Sequence, residues 1–89
     1  MAEEKPIGKV THYFTKIGVA VIELDDELKV GDTIAIRGAT TDLTQKVDSM
    51  QIEHKNVEVA NKGQSIGLKV QDRVREGDTV YKILEFEMW

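Results

Sequence analysis

The tripeptide Gly-Asp-Thr occurs twice, at Gly31–Thr33 and at Gly77–Thr79, and each copy opens a short apolar run. After the first, Ile34 and Ile36 alternate with Thr33, Ala35 and Arg37, the period of a half-buried strand. After the second, the run is Val80 to Leu84. Glycine enters φ > 0 at little cost, and a following Asp can accept bonds from nearby backbone N–H groups. Gly31 with Asp32, and Gly77 with Asp78, therefore read as turns that deliver the chain into strands. Upstream of the first turn lies Ile17 to Leu24, rich in β-branched residues and too short for a typical helix.

The rest of the chain follows the same grammar. Strands are expected at about Ile7 to Phe14, Ile17 to Leu24, Thr33 to Arg37, Leu43 to His54, Ser65 to Gln71 and Thr79 to Leu84. Alternation puts Gly8, Val10, His12 and Phe14 on one face of the first strand, and Ile7, Lys9, Thr11 and Tyr13 on the other. In the fourth, Val47 and Met50 break period 2, which a β-bulge at Asp48-Ser49 would repair. Asn56 to Ala60 is a short strand or an extended loop, and Asn61 to Gln64, with Gly63, is a turn. No segment of ten residues carries a 3.6-residue apolar period. The sequence predicts an all-β fold: a small, closed, antiparallel β-barrel of about six strands. Closure removes exposed edges. The expected core is Ala20, Ile22, Ile34, Ile36, Val47, Ile52, Ile66, Leu68 and Val70. One domain is expected over residues 6–84, with a flexible lead-in at 1–5 and a tail at 85–89.

The 89 residues include no cysteine, so neither disulfides nor thiolate metal sites are available. The net charge of −4 argues against tight nonspecific nucleic-acid binding, although a local basic face remains compatible with it. No apolar run approaches the roughly 20 residues that span a bilayer. The acidic start, MAEEKP, lacks the apolar region of a signal peptide. No membrane association and a cytoplasmic location are expected.

The ordered blocks IGKV, GVAVIELDDELKVGDTIAIRG, TQKVDSMQIEHKNVEVANKGQSIGLKV and VREGDTVYKI resemble the second domain of translational GTPases such as elongation factor Tu. The resemblance runs from about Ile7 to Ile83 and implies a translation-factor-like barrel. No Gly-x-x-x-x-Gly-Lys-Ser/Thr loop is present, so no nucleotide cofactor is expected. The same barrel resembles accessory domains of other enzymes, including the C-terminal barrel of collagenase-like (U32) peptidases. In the translation family the corresponding positions help hold the 3′ end of aminoacyl-tRNA. The resemblance places a partner site at Gln51, His54, Lys55, Gln64 and Ser65.

Other chemistries are less well supported by the residues. His12 and His54 are the only histidines, and Lys55 sets a cation beside the second. Asp25-Asp26-Glu27 lacks calcium-loop spacing and reads as a solvated turn. Ser49 and Ser65 sit in no nucleophile elbow. The sequence thus predicts a binding module rather than an enzyme, with no catalytic residue, metal site or cofactor, associated with RNA or a translation ribonucleoprotein. The alternative is a protein–protein adaptor, or a detached accessory barrel of an enzyme such as a U32-type peptidase.

Overall fold

The computed structural model describes residues 2–85. Ten strands follow one another: β1 (Ala2–Phe14), β2 (Val19–Leu24), β3 (Leu28–Lys29), β4 (Thr33–Arg37), β5 (Asp42–Lys46), β6 (Met50–Ile52), β7 (Lys55–Val57), β8 (Val59–Ala60), β9 (Ser65–Lys69) and β10 (Thr79–Glu85). Eight form one antiparallel sheet in the order β5-β4-β10-β1-β2-β9-β6-β7, and β3 pairs with β8 alone. The fold is all-β, but the backbone ladder does not close into the expected six-stranded barrel. Its β5 side instead reaches β9 through one side chain. The Gln45 amide donates to the Lys69 carbonyl (3.0 Å), and its oxygen accepts from the Gln71 N–H (2.8 Å).

β1 is the spine. Its first part pairs with β10, from Ala2↔Glu85 to Lys9↔Thr79, and its second with β2, from Gly8↔Leu24 to Phe14↔Val19. Residues 2–5 of the expected lead-in therefore lie in the strand, and residues 86–89 of the expected tail lie outside the described residues. Side-chain pairs tie this arm to the turns and to β4. Lys5 bonds Asp26, which holds that carboxyl below its usual range, and Glu4 bonds Arg37, which raises the guanidinium above its own.

The register slips between Pro6 and Gly8 and again between Val10 and His12. Each bulge adds a residue and turns the following side chains over. Expected alternation fails there: Tyr13 packs against the core, whereas Phe14 is 47% exposed.

Two other strands differ from the sequence expectation. β2 begins at Val19 because Gly18, at φ +66°, completes a turn, leaving Ile17 61% exposed. The long fourth strand is two strands, β5 and β6, parted at 47–49 by a change of partner rather than a bulge. Val47 donates to the Asp32 carbonyl and accepts from the Gly31 N–H, both at 2.8 Å, and Met50 then pairs with Leu68 of β9.

The core gathers Ile7, Val10, Ile22, Leu24, Ile34, Ile36, Met50, Ile66, Leu68 and Val80 among others. Of the nine expected core residues, eight are buried and Ile52 is half-buried, packed against their margin.

One turn recurs three times. Asp32 N–H bonds the Lys29 carbonyl, Gln64 N–H the Asn61 carbonyl and Asp78 N–H the Arg75 carbonyl, each at 3.1 Å. The third residue is glycine with positive φ: Gly31 at +99°, Gly63 at +87° and Gly77 at +90°. That is the geometry of a type II turn. The fourth side chain reaches back to the first N–H, through Asp32 (2.9 Å), Gln64 (2.7 Å) and Asp78 (2.8 Å). A Cβ on Gly31 or Gly77 would meet nothing within 4 Å, so substitution there is purely a backbone matter. Gly31→Val and Gly77→Val are each expected to destabilise by about 1–2 kcal/mol in urea unfolding, the cost of forcing a side chain into the left-handed region.

Candidate functional site

The five residues singled out from the sequence fall on the β6–β7 hairpin and on the turn from β8 into β9. Gln51 lies on β6 opposite Gly67 of β9, and its amide donates to Asn56 of β7 at 3.0 Å. Glu53 and His54 form the two-residue link between β6 and β7, with φ +51° and +66°. Tight hairpins demand positive φ at both positions, usually from Asn or Gly. His54 is thus fixed at a hairpin tip and Lys55 opens β7 beside it. Gln64 closes the turn between β8 and β9, and Ser65 begins β9 opposite Glu23 of β2. All five are exposed.

A second surface, which sequence reasoning missed, lies at the opposite end of β2 and β9, where Val19 pairs with Lys69. Three shallow hollows adjoin there. One of about 300 Å³ is lined by His12 to Ile17. The next, about 310 Å³, shares Tyr13 and Thr15 and adds Arg73, Val74, Arg75 and Glu76. The third, about 340 Å³, shares Arg73 and Arg75 and extends to Thr40–Leu43. Together they make one groove. Its walls are held firmly. Val74 is buried at 1% and anchors the loop before β10, while Val10 donates to Asp78 O (2.9 Å) and Gly77 to Val10 O (2.8 Å). Gly38 lets the Asp78 carboxylate lie against the β4–β5 loop, where an added Cβ would sit 1.9 Å from its oxygen.

The groove combines apolar surface with cations. Phe14 and Ile17 are two of the four large exposed hydrophobic residues among the described residues, and a His12–Phe14 edge contact (4.4 Å) orients the ring. Three carboxylates line it as well. Glu76 meets His12 Nδ1 at 3.1 Å, Asp42 meets Arg37 at 3.5 Å and Asp72 accepts from the Arg73 N–H at 2.7 Å. Lys16, Arg73 and Arg75 have no carboxylate within 4 Å among the described residues. The available signal in the sequence was the pair Phe14 and Ile17 flanking a glycine turn. The bulge in β1 hid it by exchanging the faces of Tyr13 and Phe14. Among the described residues, no group of three His, Cys, Asp or Glu could hold a metal ion, and no helix is long and apolar enough to cross a membrane.

Comparison with known proteins decides the fold relationship. The structure superposes on the C-terminal domain of a Geobacillus thermoleovorans protein assigned to the U32 peptidases. The TM-score is 0.82 at 20% sequence identity, covering 88% of this chain and 91% of that domain. The chain has the fold of a U32 peptidase C-terminal domain. Its sequence is 51% identical over 80 residues to an uncharacterised protease of Methanocaldococcus jannaschii and 42% identical over 78 residues to a collagenase of Porphyromonas gingivalis. These matches cover 89% and 85% of this chain, which spans only about a fifth of each relative's length (20% and 22%). No family model matches.

These findings correct three expectations. The relatives are a protease, a collagenase and a U32 peptidase domain, not translation factors. The RNA-associated reading falls with that resemblance. The expectation of a binding module rather than an enzyme is corrected too: the sequence relatives are named a protease and collagenases, of whose length this chain matches about a fifth. The physical source of the error is the repeated turn. Val-Gly-Asp and Glu-Gly-Asp specify a type II turn entering a strand, a local device that is not tied to one fold family.

Proposed function

We propose that this chain acts as an accessory domain of a U32-type peptidase, contributing a surface that holds polypeptide for the enzyme. The observation that carries the reading is the 51% identity over 80 residues to one segment of a protease four-fifths of which has no counterpart here. A small sheet with solvent-facing grooves suits binding, and function follows the site rather than the fold.

The test is a segment exchange in the Porphyromonas gingivalis collagenase. Deleting the region that matches this chain is expected to raise KM for a long polypeptide substrate while leaving cleavage of a short peptide little changed. Inserting this chain in its place should restore KM. Uniform binding that is lost shows in KM with kcat retained. An exchange that leaves KM at the deleted level, or a deletion without effect on either substrate, would overturn the proposal.

A further inference from the structure

We propose that Val30 and Val59, exposed beside the β3–β8 pair, dock against an apolar surface on the remaining portion of a U32-type peptidase. The β1–β2 turn, at the far end of the domain, is then left facing away from that portion. This rests on the reading of the chain as an accessory domain and adds which face meets the enzyme.

The pairing of Ala2 with Glu85 decides the side, because it brings both ends of the described chain to one place. The protease and collagenase relatives carry about four-fifths of their length outside the matched segment, and the matches cover 89% and 85% of this chain. Whether that extra length precedes or follows the segment, it joins near this place. The large exposed hydrophobic residues among the described residues form two pairs. Phe14 and Ile17 lie at the other end of β1, whose thirteen residues span about 40 Å of extended chain. Val30 and Val59, at 39% and 42% exposure, lie at the near end. Thr33, three residues after Val30, is level with Ile83 and through it with Glu4. The Val30 N–H donates to the Glu58 carbonyl at 2.9 Å and Lys29 pairs with Val59, so the two valines come from adjoining backbones. Their setting is fixed. The Asp32 carboxylate accepts from the Lys29 N–H (2.9 Å) and meets Lys82 of β10 (3.3 Å), while Lys5 of β1 bonds Asp26. These bonds tie the β3–β8 pair to the paired chain ends, so little order has to be gained on docking. Lys29 also pairs with Glu27 at 3.4 Å, which leaves apolar contact rather than charge to recommend a partner. Two valines are a small patch for two free proteins. They suffice for tethered ones, because a short link raises the effective concentration and favours surfaces close to the junction.

The test is amide hydrogen exchange, measured on this chain alone and on the chain inserted in place of the matching region of the Porphyromonas gingivalis collagenase. Exchange over residues 28–31 and 57–60 is expected to slow by about tenfold or more on insertion, with residues 12–17 unchanged. Val30→Thr with Val59→Thr should remove about tenfold of that slowing, since the apolar burial is lost. Both positions are exposed, so the isolated variant should melt with the parent. Val30→Ala with Val59→Ala is the second variant, with the same expectation. Slowing at residues 12–17 instead, or at no segment, would overturn the docking face. If KM for the long polypeptide were nevertheless restored in that inserted protein, the accessory-domain reading would stand without it. Slowing at 28–31 and 57–60 that survived both pairs of substitutions would overturn the valines as the contact. Slowing with KM left at the deleted level would support the docking face and overturn the polypeptide-holding role.

Discussion

Ile36→Ala is expected to lower stability by about 2–5 kcal/mol, a large part of what a small domain has. Ile36 is fully buried at the centre of β4, with Val80 of β10 on one side and Leu43 of β5 on the other. Its neighbours Ile34 and Ala35 are buried as well, so both faces of the strand are covered there and there is little room to collapse into the vacated space. Truncation removes apolar contacts and leaves a cavity, and both effects act in the same direction. Urea unfolding should show a lower midpoint with an unchanged slope. Ile17→Ala, by contrast, should change stability by less than about 0.5 kcal/mol, because that side chain is mostly in water. If the two variants melted alike, the assignment of the inner face would be wrong.

Gly8→Ala should destabilise by about 3 kcal/mol, the upper part of the range for forcing an extra group into a packed site. A Cβ at residue 8 would stand 2.5 Å from the Glu23 carbonyl oxygen and 3.1 Å from Ile22 Cγ2. The first of these is backbone and cannot rotate away. Relief requires β1 and β2 to part, at the residue where β1 pairs with Val80 on one side and Leu24 on the other. Gly67→Ala supplies the comparison within the same sheet. Its nearest contact would be Val19 Cγ1 at 3.5 Å, an ordinary distance, so its effect should be close to nil. Thermal melts of the two variants should therefore separate widely, by roughly 10 °C or more for a domain this small. A Gly8→Ala protein that melts with the parent would show that the two strands approach less closely than the structure indicates.

What could be read from the sequence was whatever is determined locally. β4 has the bounds expected from alternation, Thr33–Arg37, because a glycine turn and a two-residue period both act over a few residues. The glycine turns at 31, 63 and 77 are local in the same sense. What escaped was set by partners distant in sequence. β1 serves β10 and then β2, and the bulges that allow it leave no mark in composition. Val47 leaves the strand pattern because its backbone bonds to Gly31 and Asp32, again a tertiary matter. The candidate site suffered most from this. The translation-factor resemblance directed attention to Gln51, His54 and Lys55, whereas the groove depends on Phe14 facing outward, which a period-2 reading of β1 denies. Gln64, read as a binding residue, also has a local duty at the position that Asp32 and Asp78 hold in the sister turns.

Gln45 gives the curled sheet a preferred line of parting. Elsewhere its neighbouring strands are joined by backbone ladders, and separating them breaks several bonds in sequence. Between β5 and β9 the connection rests on the two ends of one carboxamide, held at 8% exposure. Releasing it frees the outer rim of β5 and the end of β9 together, below a hollow of about 200 Å³ lined by Asp48 and Ser49. Loss of that carboxamide would therefore loosen the rim of β5 from β9 while its ladder to β4 stayed intact.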